Sequence, residues 1–305
     1  MSGISVKVGD VDLKSPVILA SGTCNFGREL SEYYDLGCLG GLSSKGLTIK
    51  PRLGNEGVRV AETASGMLNS VGLQNPGVDY FIENDLDFMA STGAKVIVNV
   101  AGHSFEDYLA MAQKLEPHKD KIDALEINLS CPNVKEGCMT IGADKNQIKH
   151  ITSEIKKLTS LPVWIKLTPN VTDITQTALA AQEGGADAVV LINTLLGMKI
   201  DIRTRRPVLH NNTGGFSGPA IKPVAVRMVA DCFRVLDIPI VGCGGITCAE
   251  DVIEFMIAGA AAVEIGTASL VHPTAGRDIT EELKVYCKDK NIELSELTGT
   301  LSLWQ

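Results

Sequence analysis

The feature that most constrains the fold is a series of eight short apolar runs, most of them separated by segments with helical periodicity. The runs cover residues 16–21, 41–46, 96–100, 125–130, 162–167, 188–193, 238–243 and 262–267. Helical patterns lie at residues 146–158, 173–183, 222–236 and 249–258. Strands that are buried on both faces read as continuous apolar runs, and their alternation with helices is typical of parallel βαβ units. Eight such units predict an α/β fold, a closed (β/α)8 TIM barrel.

Three segments lie outside this repeating pattern. Residues 6–13 alternate apolar and polar side chains around a Gly-Asp turn, which predicts an N-terminal β-hairpin at the bottom of the barrel. Residues 46–78 and 194–218 are longer than barrel connections need to be, so we expect rim insertions that shape a substrate site or a partner surface. Within them, glycine-rich residues 69–77 and 213–219 predict loops. No linker or repeat divides residues 1–305, so we expect one domain.

Charge and cysteine content exclude several classes of protein. The net charge of −8 argues against nucleic acid or an anionic membrane as a partner held by bulk electrostatics. Asp187, Asn193 and Glu264 interrupt the longest apolar stretches, so we expect no membrane span. The N-terminus lacks the apolar core of a signal peptide, and the eight cysteines are expected as free thiols of a cytoplasmic protein. Neither the cysteines nor the five histidines have metal-ligand spacing, so we expect no metal site.

Polar residues and glycines gather at the carboxyl ends of the runs, where TIM-barrel enzymes place their active sites. They are Ser21, Lys45, Asn99, Ser130, Lys166, Asn193, Gly244 and Gly266. Lys45 and Lys166 each end an apolar run, and lysine is rarely buried without a partner. The pair therefore predicts contacts with anionic groups or polar ring atoms of a ligand. The alternative for either lysine is a structural salt bridge to Glu126 or Glu264.

Cys131 is the candidate reactive group. The run that ends near Asn128 is followed by Pro132, which stops regular structure and places Cys131 on a loop at the rim. A single cysteine is more commonly a small buried hydrophobe. The neighbouring Asn128 and Asn133 favour a polar site instead, because amides buried in an apolar core would lack hydrogen-bond partners.

Glycines after the seventh and eighth runs predict a phosphate site. Residues 242–247 read GCGGIT and precede the predicted helix over 249–258, while residues 265–268 follow the eighth run. Glycine lets backbone N–H groups approach a phosphate, and a site after strands seven and eight recurs in TIM barrels. Tight turns also need glycine, so the placement on these two strands carries the prediction.

The chain resembles the class 1B dihydroorotate dehydrogenases, the FMN-containing catalytic subunits of pyrimidine (UMP) biosynthesis. The motifs that carry the resemblance are ASGT at 20–23, SSKG at 43–46, MLNSVGLQNPG at 67–77, NLSCPN at 128–133, IKLTPN at 165–170, INTLLGMKID at 192–201, GGFSGPAIKP at 214–223, GCGGI at 242–246 and EIGTA at 264–268. The membrane-bound class of the family has serine in place of the cysteine of NLSCPN. INTLLGMKID and GGFSGPAIKP resemble class 1B more than the fumarate-using class 1A.

The resemblance implies oxidation of (S)-dihydroorotate to orotate, with Cys131 as the catalytic base and FMN as the hydride acceptor. The implied FMN contacts are Ser21, Lys45, Gly46, Asn99, Asn128, Lys166, Ile192, Gly218, Gly244, Gly245, Gly266 and Thr267. The implied substrate contacts are Lys45, Asn69, Val71, Gly72, Leu73, Asn128, Asn133, Asn193 and Thr194.

The resemblance also implies a homodimer of catalytic chains within a heterotetramer, whose second subunit carries FAD and a [2Fe–2S] cluster and passes electrons to NAD+. The missing CxxC pairs fit that division of labour. Other readings are a fumarate-dependent class 1A-like enzyme, a dihydropyrimidine dehydrogenase-like flavoenzyme, a noncatalytic flavin-binding subunit, and a flavin-free barrel for a sugar phosphate. Lys45 favours the carboxylate of orotate over uracil, which has none.

Overall fold

The fold is a closed barrel of eight parallel strands, seen in a computed structural model that describes residues 3–129 and 141–304. Numbered 1 to 8 along the chain, the barrel strands are Val17–Leu19, Gly41–Ser43, Lys95–Val100, Ala124–Asn128, Val163–Lys166, Ala188–Leu191, Ile240–Cys243 and Ala260–Ile265. Each strand pairs in parallel with the next, and strand 8 pairs with strand 1 to close the barrel. The predicted (β/α)8 barrel is confirmed.

Helices surround the barrel and follow the predicted periodic segments closely. They are Arg28–Ser31, Val78–Asn84, Leu86–Ser91, Phe105–Leu115, Lys145–Leu158, Ile174–Glu183, Lys222–Phe233, Ala249–Ala258, Thr267–Val271 and Ala275–Lys290. Short 3-10 turns lie at Leu36–Cys38, Glu116–His118, Ile141–Ala143, Pro219–Ile221 and Leu294–Leu297. Asp144 and Asp173 cap the helices that follow them by accepting backbone N–H groups, which explains why those helices begin where they do. The helix predicted over 222–236 ends earlier, at Phe233.

The N-terminal hairpin is present as predicted, with strands Val6–Val8 and Val11–Leu13 paired antiparallel. Its apolar side chains are buried in the main core, while Lys7 and Asp12 point to solvent. The turn glycine, Gly9, lies against Asp187, which directly precedes barrel strand 6. The hairpin therefore packs at the amino-terminal end of the barrel, opposite the end where the candidate site residues lie.

The two rim insertions pair with each other in a four-stranded antiparallel sheet, called here the rim sheet. In spatial order its strands are Leu195–Gly197, Gly214–Ser217, Gly66–Asn69 and Val60–Thr63. A further two-stranded pair joins Ile200–Asp201 to Arg206–Pro207. The expectation of loops at residues 69–77 and 213–219 was therefore wrong at Asn69 and at residues 214–217. These residues gain their hydrogen bonds from strands far away in the sequence, which local glycine content cannot reveal.

Other features bear on the class of protein. Among the described residues, no helix combines the length and the apolar character that crossing a bilayer requires. Residues 3–129 and 141–304 also contain no group of three or more acidic, histidine or cysteine side chains arranged to hold a metal ion. The cysteines described there are free thiols.

Candidate active site

A cavity of about 820 Å³ lies at the carboxyl ends of the barrel strands, beneath the rim sheet. Every predicted site residue within the described ranges lines it: Ser21, Lys45, Gly46, Asn69, Val71, Gly72, Leu73, Asn99, Asn128, Lys166, Ile192, Asn193, Thr194, Gly218, Gly244, Gly245, Gly266 and Thr267. Cys131 and Asn133 lie outside the described residues. The size is typical of a site for a small molecule or cofactor.

A buried ionic cluster forms the barrel side of the cavity. The Lys166 ammonium lies 2.5 Å from Oε2 of Glu264 and 3.4 Å from Oε1 of Glu126, and both carboxyl side chains are fully buried. Oε1 of Glu126 also accepts hydrogen bonds from the amide of Asn99 and, at 3.2 Å, from the Ser43 hydroxyl. The salt-bridge alternative therefore holds for Lys166, which lines the cavity as well.

The two carboxyl groups of this cluster differ in pKa. Burial favours the neutral form of Glu126, but Lys166 and the hydrogen-bond donors outweigh burial and lower its pKa. Burial and the negative charge of Glu126 raise the pKa of Glu264 well above its ordinary value. Burial alone would lower the pKa of Lys166, yet its two acidic neighbours raise it. The lysine therefore carries a positive charge at neutral pH.

Amide side chains form another wall of the cavity. The Asn193 amide donates to Oδ1 of Asn128 at 3.4 Å, and Oδ1 of Asn193 accepts the Thr194 backbone N–H at 2.8 Å. The Tyr108 hydroxyl donates to the backbone carbonyl of Asn128 at 3.0 Å. Asn170 donates to the Thr194 carbonyl at 3.0 Å and so fixes the chain after barrel strand 6. These contacts hold amide groups beside the cavity, where they can pair with polar edges of a ring.

The glycine segment after strand 7 makes a close backbone approach. Gly245 has φ +77°, and a Cβ there would lie 2.8 Å from Cβ of Lys222 and 2.9 Å from the Gly218 carbonyl oxygen. Only glycine fits these constraints without displacing backbone. Nearby, the Thr267 hydroxyl donates to the Ser217 hydroxyl at 2.8 Å and links strand 8 to the rim sheet. A recess lined by backbone and hydroxyl groups suits an anionic group such as phosphate.

The loop after Asn69 is ordered by its own side chains. Oδ1 of Asn75 accepts the backbone N–H groups of Thr48 and Gly77 at 3.2 Å and 2.9 Å. The Asn55 amide donates to the Ser70 carbonyl at 2.9 Å. This network places Val71, Gly72 and Leu73 over the barrel mouth, in the lining of the cavity.

Several lining residues were not named as site residues from the sequence. They include Thr168, Asn170 and Ser217. All three lie inside the motifs IKLTPN and GGFSGPAIKP, so the motifs contained the signal. The cluster residue Glu126 was named only as a salt-bridge partner, although it stands two residues before Asn128 on one strand and therefore shares its face.

Comparison with known proteins gives a consistent result over nearly the whole chain. The family model for dihydroorotate dehydrogenase matches residues 3–286. The protein named dihydroorotate dehydrogenase B (NAD(+)), catalytic subunit, from Thermoanaerobacter sp. (strain X514) is 52% identical over 301 residues, which cover 98% of this chain and 99% of the relative. Proteins of the same name from Alkaliphilus metalliredigens (strain QYMF) and Caldicellulosiruptor bescii are 50% and 47% identical, each over 98% of this chain and over 98% and 99% of the relative.

Proposed function

The chain belongs to the dihydroorotate dehydrogenase family, and from this membership we propose that it oxidises (S)-dihydroorotate to orotate in UMP biosynthesis, with bound FMN as the hydride acceptor. The observation that carries the proposal is the single cavity lined by every implied FMN and substrate residue in the described ranges. Those residues come from all parts of the chain, so their convergence is a property of the fold.

The chemistry of the lining fits a flavin. Oδ1 of Asn99 is buried without a hydrogen-bond partner among the described residues, and it lies beside Gly46, where a Cβ would approach within 2.9 Å. An orphaned buried acceptor at a cavity wall calls for a ligand N–H group, which a flavin ring provides. The recess at Gly245 and Thr267 suits the FMN phosphate. The ammonium of Lys166 provides a positive charge in the cavity wall that would face the flavin ring.

Bound FMN supplies a two-electron acceptor for the hydride from C6 of dihydroorotate. Cys131 removes the proton from C5; this assignment rests on the motif NLSCPN. Lys45 binds the substrate carboxylate, and the amides of Asn69, Asn128 and Asn193 hold the polar ring edges and so fix the orientation of C6. The ammonium of Lys166, held by two carboxyl groups, stabilises negative charge that develops next to the barrel strands.

We further propose that electrons leave through a partner subunit with FAD and a [2Fe–2S] cluster, which reduces NAD+, and that two catalytic chains pair in a heterotetramer. The relatives named above are catalytic subunits of NAD(+)-linked enzymes, which supports a partner. The insertion at 194–218 is a candidate contact, because Leu196, Met198, Ile200 and Ile202 are each more than half exposed. Exposed apolar patches are typical of protein interfaces.

The test is an anaerobic titration of the purified chain with dihydroorotate, followed at the flavin absorption band. We expect a yellow protein whose flavin is bleached by dihydroorotate. A colourless protein would favour the sugar-phosphate reading. A flavin that dihydroorotate leaves oxidised would contradict the proposed substrate.

A second assay tests the route of the electrons. We expect the chain alone to reduce dichlorophenolindophenol with dihydroorotate as donor, but not NAD+. Rapid NADH formation by the chain alone would contradict the two-subunit proposal. Preferred use of fumarate would favour a class 1A-like acceptor.

A further inference from the structure

The buried ionic cluster has one basic and two acidic groups. Glu126 stands on barrel strand 4, Lys166 on strand 5 and Glu264 on strand 8, so their side chains meet inside the barrel. Both carboxyl side chains are fully buried, and the lysine side chain is almost so. If both acids were ionised, the barrel interior would hold one uncompensated negative charge away from water, which is strongly unfavourable.

The hydrogen bonds of the cluster lead to the same conclusion. Oε1 of Glu126 accepts from Asn99, Ser43 and Lys166, and Oε2 of Glu264 accepts from Lys166. The other oxygens, Oε2 of Glu126 and Oε1 of Glu264, meet no donor among the described residues. The two carboxyl groups nevertheless influence each other, because, besides burial, the negative charge of Glu126 raises the pKa of Glu264. Because an ionised carboxylate is only an acceptor, a proton on one of the two carboxyl groups is what would give these oxygens a hydrogen bond with each other.

We propose that Glu264 is a positioning residue for the flavin site, a carboxylic acid that keeps its proton at neutral pH, donates it to Glu126 and holds the Lys166 ammonium in place. Glu126 is the ionised partner because three donors, one of them charged, point at its Oε1, whereas among the described residues Glu264 receives only the Lys166 ammonium and the weak thiol donor of Cys243. One positive and one negative charge then balance. Lys166 is fixed in the cavity wall without a net negative charge behind it.

The surrounding groups leave this charge balance undisturbed. Ser43 and Asn99 face the cluster from strands 2 and 3 and are neutral. Cys243 pairs with Glu264 across strands 7 and 8, and burial raises the pKa of its thiol to about 12. Burial likewise raises the pKa of Cys24, near strand 1, to about 12. Both thiols are therefore neutral, and the proton count depends on Glu126, Lys166 and Glu264 alone.

Infrared spectroscopy of the flavin-free protein tests the proton directly. Protein labelled with ¹³C at the glutamate carboxyl groups should show an isotope-shifted carboxylic acid C=O band that persists at about pH 8, far above the ordinary glutamate pKa of about 4.3. Glu264→Gln and Glu126→Gln should each abolish the band, because the remaining carboxyl group pairs with Lys166 and ionises. The control Glu254→Gln, at an exposed partner of Lys222, should keep it.

Each other result overturns the proposal. Absence of the acid band from the labelled wild-type protein means that both carboxyl groups are ionised, and this measurement needs no variant to fold. A band that survives both substitutions belongs to another glutamate. The protonation of Glu264 is inferred from the described cluster alone, whereas the effect of that protonation on the flavin rests on the proposed function. The infrared result therefore stands or fails independently of dihydroorotate oxidation.

A redox titration then tests the positioning role. Glutamine has the same charge as a protonated glutamate, so Glu264→Gln should change the oxidised-to-reduced flavin ratio at fixed potential by less than about threefold, the scale of altered hydrogen bonds. Loss of an ionised carboxylate within roughly 10 Å would change that ratio about tenfold or more. A change of that size in Glu264→Gln would overturn the proposal. The double variant, which leaves Lys166 without an anionic partner, should show the large change.

Discussion

Replacement of Lys166 by methionine isolates the energetic role of the buried ammonium. Methionine keeps the apolar stem of the side chain as far as Cε but removes the ammonium that contacts Glu126 and Glu264. Removal of one partner from a buried ion pair typically costs about 3–5 kcal/mol, because the remaining charge stays buried without compensation. We expect Lys166→Met to lower the free energy of unfolding by about that amount at neutral pH.

Lys222→Met is the matched control. Lys222 also bridges two acids, Asp251 and Glu254, at 2.6 Å each, but 27% of its side chain is exposed. Ion pairs in contact with solvent contribute only about 0–1 kcal/mol. The two substitutions remove the same charge from similar geometry, so the difference between them measures the effect of burial.

The pH dependence gives the prediction a sign. In the wild-type protein Lys166 and the hydrogen-bond donors together outweigh burial and lower the pKa of Glu126, so the stability that this carboxylate contributes is present above the ordinary glutamate pKa and is lost as the pH falls. Without the charge of Lys166, we expect burial to outweigh the remaining donors and to raise the pKa of Glu126, so the variant should be most stable in acid and should lose stability as the pH rises past about 4.3. The difference in unfolding free energy between wild type and Lys166→Met should therefore widen from about pH 5 to about pH 8.

Urea unfolding of the flavin-free proteins, followed by circular dichroism at several pH values, measures this difference through the midpoint and the slope. We expect the Lys222→Met protein to follow the wild-type pH dependence. If Lys166→Met were within about 1 kcal/mol of Lys222→Met at every pH, the argument that Lys166 compensates an ionised, buried Glu126 would be refuted.

Further predictions concern the chemistry and the cofactor recess. Cys131→Ala should keep its FMN but lose about 10²–10⁴-fold in turnover, as removal of a general base does; near-normal turnover would contradict the assignment. Lys45→Ala should weaken orotate binding, measured by flavin spectral titration, by about tenfold or more, since it removes a charge-assisted contact; unchanged affinity would argue against a carboxylate contact. Gly245→Ala should purify with less FMN than Gly93→Ala. Both glycines have φ near +77° (+77° and +76°), but a Cβ at Gly93 meets only Lys14 Nζ at 3.8 Å. Equal FMN content in the two variants would exclude a steric effect at the recess.

The barrel could be predicted from the sequence because its strands are buried on both faces. Such strands read as uninterrupted apolar runs, and all eight runs contain or overlap an observed barrel strand. The positions of Lys45, Asn99 and Lys166 followed from the same runs, since a polar residue at the carboxyl end of a parallel strand must reach the barrel mouth. Local sequence patterns are therefore enough to predict where these three side chains lie.

The rim sheet could not be predicted in this way. Gly66–Asn69 and Gly214–Ser217 each have only 4 residues and begin with glycine, and neither has the alternation of a half-buried strand. They become strands because Asn69 pairs with Gly215 and Val60 pairs with Asn69, contacts that depend on the completed barrel. The partners of Lys166 could not be predicted either, because the sequence was compatible with a ligand contact and with a salt bridge for the same lysine.

The two sides of the cavity thus depend on different parts of the fold. The residues assigned to FMN stand mostly on or just after barrel strands, whose hydrogen bonds on both edges fix their positions. Asn69 and the loop that follows it belong to the rim side, where Ala61, Leu68 and Leu209 form a small core separate from that of the barrel. Because that core is small, the rim sheet can shift at less energetic cost than the barrel. We propose that a site built in this way keeps the cofactor and Lys166 fixed while the substrate side adjusts to dihydroorotate and orotate.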